Sequence, residues 1–365
     1  MRNVHARVLR RAGWAAGLLA VVFAAAQSPA ANVSESGSTL IYPLFNTWIT
    51  AYAKAQPGVH ITAAATGSGA GIADAISGRV QIGTSDAYMS DDQQMAHPHI
   101  LNIPLAISAQ TVDANLPELR GRTLKLSGPV LAGIYTGKIR MWDDGQIAAI
   151  NQGVQLPHHE IVPVRRAEGS GDTFIFTQFL SFSDQSGPDP DSNPTLWENK
   201  IGYGTSVSWP SVSGELSATG NSGMVATIAR TPYAVGYVGA SYEAGAAKDN
   251  LIVAMIENQA GKFLLPTRET VTAAASALTP RTPSDERLTL VFAPGDDSYP
   301  LINYEYAMVA DHQSNAQTAA AVSNFLLWCI SPEGGNSAAY LDPLHFMALP
   351  ISIRAKSEIQ IAKIQ

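Results

Sequence analysis

Apolar residues recur at helical spacing at Ile41, Leu44, Phe45, Trp48 and Tyr52. This predicts a helix over Leu40–Ala55, with Pro43 in its first turn and a stop at Pro57-Gly58. Val59–Ala65 alternates in the manner of a strand. A glycine loop, Gly67–Gly71, then leads into a short helix, Ile72–Ile76, closed by Gly78, and Val80–Thr84 is a second strand. The order of strand, glycine loop and helix predicts an α/β architecture with a mostly parallel sheet.

The alternation continues through the middle of the chain. Val130–Tyr135 reads as a helix, Val162–Arg166 as a strand, and Phe174–Phe182 as a helix with Phe176, Phe179 and Leu180 on its apolar face. Residues 183–223, rich in Ser, Pro, Gly and Asp, are expected to be long surface loops. A helix over Met224–Ala229, a strand over Ala234–Val238, loops over Ser276–Pro300, a strand over Ile302–Ala310 and a helix over Ala316–Ile330 complete the reading. No internal repeat, heptad pattern or low-complexity tract is present.

The first 30 residues depart from this pattern. Arg2, Arg7, Arg10 and Arg11 precede an apolar run of 15 residues, Ala12–Ala26, and then Ser28-Pro29-Ala30. A run of that length is short for a bilayer, so residues 1–30 read as a signal peptide. The alternative is an anchored N-terminal helix. Taking four arginines and no acids from a chain of formal charge −7 leaves −11. Such a chain exerts no long-range attraction on anions and has little affinity for nucleic acid, so an anion would have to be held by local donors in a shielded cleft. The chain's single cysteine, Cys329, excludes an intrachain disulfide, and none lies near the cleavage site to take a lipid. Set in Phe325–Ile330, it reads as a buried structural thiol. An exported, unlipidated, soluble protein fits a periplasm, with secretion to the medium as the alternative.

Against this acidic background one segment is distinctive: Arg165-Arg166-Ala167-Glu168-Gly169-Ser170-Gly171-Asp172-Thr173-Phe174. Arg166 offers a planar fork of donors, and the turn and the helix start that follows it offer amides and hydroxyls, a combination suited to an anion. Glu168 is expected to hold the guanidinium so that its donors face the ligand. Gly37-Ser38-Thr39 and Gly67-Ser68-Gly69-Ala70-Gly71 share the theme, and the three loops could converge on one oxyanion. Each has a plainer reading. The first is a strand–turn–helix corner with an Arg166–Glu168 surface pair, the second an N-cap by Ser38 or Thr39, and the third a tight turn.

Asp86, after Gly83-Thr84-Ser85, reads by itself as an Asx turn or cap. Beside an anion it makes sense only if the ligand carries a proton to donate, which phosphate does near neutral pH and sulfate does not. Enzyme signatures are missing: there is no Gly-x-Ser-x-Gly elbow, phosphate loop or dinucleotide fingerprint. His97/His99 and His158-His159-Glu160 lie beside prolines without a third ligand at helical spacing and read as solvated loop residues. Trp142-Asp143-Asp144 reads as a helix cap.

With those residues in view, the chain resembles the periplasmic phosphate-binding proteins of bacterial high-affinity phosphate ABC transporters. The similarity runs from about Ser36 to about Pro350. It is carried by Gly37-Ser38-Thr39-Leu40, Gly67-Ser68-Gly69, Gly83-Thr84-Ser85-Asp86, Gly137-Lys138-Ile139 with Trp142-Asp143-Asp144, and Arg165–Phe174. The resemblance implies a two-lobed, type II periplasmic binding protein fold, α/β in class, each lobe a mixed sheet flanked by helices, with two hinge crossings. Lobe I would be 31–107 plus 303–365 and lobe II 108–302. It implies phosphate ligands at Thr39 (hydroxyl and amide), Leu40 (amide), Ser68, Asp86 (proton acceptor), Arg166, Ser170, Gly171 and Asp172, with Ser38 and Glu168 in support.

The family often has threonine where this chain has Asp172, which keeps the amide but brings a second carboxylate. Asp172 is expected to accept a second ligand proton and shift preference toward the monoanion. The implied protein is a monomeric receptor without cofactor or metal, not an enzyme, that serves membrane permease subunits and binds no nucleic acid. Sulfate or molybdate binding, a phosphatase-like enzyme, and a secreted adhesion or signalling protein that has lost its ligand are the alternatives.

Overall fold

A computed structural model describes residues 31–184 and 197–365. The signal-peptide reading of residues 1–30, and part of the long-loop reading, lie outside the described residues. Among the described residues twelve strands form: β1 Ala31–Gly37, β2 Val59–Thr62, β3 Ile82–Ser85, β4 Ile100–Ala114, β5 Lys125–Leu126, β6 Val162–Arg166, β7 Leu216–Ala218, β8 Ala234–Gly239, β9 Ile252–Val253, β10 Met255–Glu257, β11 Phe263–Leu264 and β12 Ile302–Ala310. Nine of them make one sheet in the order β2-β1-β3-β12-β4-β8-β6-β7, with β9 also on β4; β11-β10-β5 make a second.

The expectation of a mostly parallel sheet is corrected to a mixed one. β1 pairs parallel with β2 and β3, and β6 pairs parallel with β7 and β8. Between these blocks run β4 and β12, antiparallel to each other and to their outer neighbours. β4 changes partner midway: Ile100–Ala109 pairs with β12, and Gln110–Ala114 with β8. All 15 of its residues are buried, so it shows no alternation of apolar and polar positions, and the sequence pattern gave no strand there.

Helices cover both faces. Tyr42–Ala55 buries Leu44, Phe45, Trp48 and Tyr52, the face predicted for it, against Phe325 and Trp328 of the Ala316–Ile330 helix. No side chain caps its start. Full burial of each such side chain contributes about 1.5–3 kcal/mol, more than the roughly 1 kcal/mol of a typical cap, so packing fixes this helix. In the other half, Phe176 stacks on Tyr237 with ring centroids 4.5 Å apart, and Tyr135 meets Phe176 edge-on at 4.9 Å. Cys329 is fully buried, as expected of a structural thiol.

Several boundaries move. The short helix begins at Ser68, inside the predicted glycine loop, and the Phe174 helix begins at Gly171. Residues 183–223 are not all loop: Trp197–Lys200 is helical, β7 lies within the span, and the next helix starts at Gly220. Asp144 caps the Gly145–Ile150 helix by accepting from Gln146 N at 2.8 Å, the role read for Trp142-Asp143-Asp144. No described helix is long and apolar enough to cross a membrane.

Candidate functional site

The three Gly/Ser loops converge where the two halves of the sheet meet. Gly37-Ser38-Thr39 follows β1, Ser68 opens its helix, Asp86 follows β3, and Arg166 ends β6, with Ser170 capping the Gly171–Ser183 helix. Thr39, Leu40, Ser68, Asp86, Arg166, Ser170 and Asp172 are each no more than about 5% exposed. The plainer reading of Arg166–Glu168 as a surface pair does not hold, because the Arg166 side chain is 1% exposed.

Two buried carboxylates anchor the cluster. Asp86 Oδ1 takes the Ser38 hydroxyl and Oδ2 that of Ser68 at 3.3 Å, while Asp86 N donates back to Ser68 Oγ at 3.2 Å. Ser38 Oγ in turn accepts from the amides of Leu40 and Ile41 at 3.0 and 3.2 Å. Ser38 therefore holds both the turn that leads into the helix and Asp86. Burial, then the nearby Asp172 charge, push the Asp86 carboxyl up to about 6. Raised carboxyls alone do not mark a site: burial also carries Glu35 and Glu286 to about 8 and Asp113 to about 7, away from this cluster. Asp86 is set apart by what faces it.

Facing it is Arg166. Its Nε donates to Glu168 Oε1 at 2.8 Å, a contact shared by Nη2; Nη1 donates to Asp172 Oδ2 at 2.5 Å, and Nη2 also reaches Thr39 Oγ1 at 3.1 Å. Burial works against the guanidinium charge, and the Asp172 and Glu168 carboxylates more than offset it, leaving its pKa raised. Glu168 thus grips Arg166 as expected and is itself tied to Gly220 N at 2.9 Å.

Asp172 has partners beyond Arg166. Its Oδ2 also accepts Asn221 Nδ2 at 2.7 Å, and its Oδ1 accepts Gln110 Nε2 at 3.2 Å. Three donors, the Arg166 guanidinium among them, therefore hold this carboxylate. Its amide remains in the first turn of the helix.

The halves touch directly here. Gly69 N donates to Gly169 O at 3.0 Å, Ser241 Oγ to Leu40 O at 2.8 Å and Tyr242 OH to Thr39 O at 3.0 Å. A Cβ on Gly171 would lie 2.4 Å from Asp86 Oδ2, so any larger residue would force the arginine-bearing half away from Asp86. Alongside, a cavity of about 660 Å³ is lined from both halves, by Ala87 and Tyr88 on one side and Phe174 and Ser206 on the other.

A model of the PBP superfamily domain matches residues 24–333. The phosphate-binding protein PstS of Pasteurella multocida is 32% identical over 345 residues, covering 94% of each chain. The PstS of Methanocaldococcus jannaschii is 33% identical over 342 residues, covering 87% of this chain and 82% of that one. This chain belongs to the PBP superfamily and, within it, to the PstS family. Among solved structures, a high-affinity periplasmic phosphate-binding protein bound with phosphate superposes with a TM-score of 0.70 at 19% identity, covering 90% of this chain and 93% of that one. A phosphate-binding protein from Stenotrophomonas maltophilia superposes with a TM-score of 0.66 at 19% identity, covering 90% and 94%. Both share the two-lobed fold.

In this PstS-family chain the cluster recruits three residues that no motif marked: Asn221, Gln110 and Glu305. Asn221 is fully buried between Thr39 and Asp172. Gln110 sits where β4 changes partner and reaches Asp172 through both its carbonyl and its carboxylate. Glu305 of β12 is fully buried, and neither of its oxygens meets a well-aligned partner. Burial first, and then the Asp86 carboxylate, push its pKa well above the usual range. Each lies in an apolar or featureless stretch of sequence, and only the tertiary fold brings it to the site. Among the described residues no group of three or more His, Cys, Asp or Glu side chains is placed to hold a metal ion.

Proposed function

We propose that this chain is an extracytoplasmic receptor that binds inorganic phosphate between its lobes by hydrogen bonds and delivers it to the membrane permease of an ABC-type importer. The observation that carries this reading is Asp86, a buried acceptor facing the Arg166 fork across a cluster of hydroxyls and amides. Donors alone would suit any oxyanion. A carboxylate among them suits one that still carries a proton, since an unprotonated ligand would leave two anions opposed without a bridging hydrogen. The naming of the relatives as phosphate-binding proteins supports the same reading.

In this proposal Thr39, Leu40, Ser68, Arg166, Ser170 and Gly171 donate, Asp172 contributes its amide, and Asp86 accepts. No covalent chemistry occurs. The lobes would be 31–107 plus 303–365 and 108–302, a division close to the point where β4 exchanges β12 for β8. Residues 1–30 would direct export to the periplasm as an unanchored monomer. Calorimetry on phosphate-stripped mature protein tests the reading: phosphate should bind and sulfate should not near pH 7. Sulfate binding as tight as phosphate would replace it with a general oxyanion receptor.

A further inference from the structure

Thr39 Oγ1 receives three N–H donors: Arg166 Nη2 at 3.1 Å, Asn221 Nδ2 at 3.0 Å and Asn221 N at 3.3 Å. A hydroxyl has two acceptor lone pairs and one proton. Three donors take up both lone pairs, so toward any further partner the hydroxyl can only donate. The orientation of the Asn221 amide is fixed independently, because Oδ1 accepts Gly239 N at 2.7 Å and so turns Nδ2 toward Thr39 and Asp172.

We infer that Asn221 is a positioning residue that makes the Thr39 hydroxyl an obligate donor toward the bound oxyanion, and that it does so only when the lobes are closed. The inference rests on the phosphate reading above. Thr39 follows β1, beside the sheet half that carries Asp86. Asn221 opens the Gly220–Arg230 helix beside Arg166. The contact therefore exists only across the cleft. The same turn holds the arginine, since Gly220 N binds Glu168, which grips Arg166. One helix start thus sets two ligand donors at once, Arg166 on its own side of the cleft and Thr39 on the other. In the open form Thr39 is free to rotate and either donate or accept. In the closed form it can only donate, so the ligand's proton cannot be given to Thr39 and is directed to Asp86.

The test is a double-mutant cycle read by calorimetry with inorganic phosphate on the mature chain. Asn221→Ala should weaken phosphate binding about tenfold with Thr39 present, and about threefold or less in a Thr39→Val background, where there is no hydroxyl to orient. Asn221→Asp keeps an acceptor for Gly239 N but offers Thr39 an acceptor in place of a donor. It should weaken binding more than the alanine does, and it carries the same cycle if Asn221→Ala does not fold. Equal losses in the two Thr39 backgrounds would overturn the inference while leaving phosphate binding intact. A wild-type chain that binds no phosphate would overturn the phosphate reading itself.

Discussion

Asp86 and Asp172 are both buried aspartates at one site, and they are held in opposite ways. Asp86 lies between two serine hydroxyls, with a second carboxyl, Glu305, packed behind it and no cation in contact. Asp172 is bound by a guanidinium and two amides. Neutral donors and burial leave Asp86 poised near 6, where it can take or release a hydrogen bond's proton. Asp172, by contrast, has a cation in direct contact. The same residue type therefore meets neutral hydroxyls at one place in the cluster and a guanidinium at the other. Arg166 is close to neutralised before any ligand arrives, so recognition depends on the direction of donors and not on net charge, as an acidic protein requires.

The largest effect should come from breaking the cation that separates the two roles. Arg166→Ala removes a charged donor from the ligand and leaves Asp172 and Glu168 as two neighbouring carboxylates without their cation. Phosphate affinity should fall by at least about tenfold, and the fold should lose roughly 3–5 kcal/mol. Calorimetry and denaturant unfolding read the two losses separately. Wild-type affinity in this variant would remove Arg166 from the site.

Next is the acceptor. In Asp86→Asn the ligand's proton meets an amide, so phosphate should weaken by about tenfold or more while sulfate binding appears. pH does the same to the wild type. Below about 6 Asp86 takes up a proton in the free protein. Phosphate must then displace that proton, and its affinity should fall toward about tenfold per pH unit, while sulfate gains a donor. Stability shifts as well. The folded-state pKa is raised, so the native chain binds more protons than the unfolded one between about 4 and 6, and Asp86 costs stability as pH rises through that window, with no further change above it. Asp86→Asn should flatten both profiles. An unchanged phosphate-to-sulfate ratio in Asp86→Asn would show that Asp86 is not the selector.

The asymmetry between the aspartates also marks what was legible in the sequence. Arg166, Glu168, Ser170 and Gly171 stand together in one decapeptide, and their convergence with Ser38, Thr39 and Ser68 followed from three loops that each carry glycine and a hydroxyl. Helices with one apolar face, such as Tyr42–Ala55 and Ala316–Ile330, were legible for the same reason: their periodicity is written locally. β4 was not, because burial on both faces erases the alternation that reveals a strand. The partners of Asp172 were hidden too. Gln110 and Asn221 lie 62 and 49 residues from it in sequence. Without them a carboxylate beside an arginine and an anion looked free to titrate. The pattern gave residue types, and only the fold showed which lone pairs were already taken.

Asp172→Asn sharpens the comparison with the smallest change. An asparagine keeps the shape and one acceptor for Arg166 but removes the charge. Asp172 is the second cause, after burial, of the raised Asp86 pKa. The midpoint of the phosphate-affinity profile should therefore move to lower pH, by less than burial alone displaces it. On the acid side the limiting slope should stay at one proton per bound phosphate in both proteins, since the proposed mode of binding gives the acceptor role to Asp86 alone. If Asp172 is instead a second acceptor, the wild-type affinity should fall with rising pH on the alkaline side by one proton more than that of Asp172→Asn. Calorimetry across pH 5–8 on the two proteins, in buffers of matched ionic strength, separates a shifted curve from a steeper one. A steeper wild-type curve would return Asp172 to the ligand and give the two aspartates the same role.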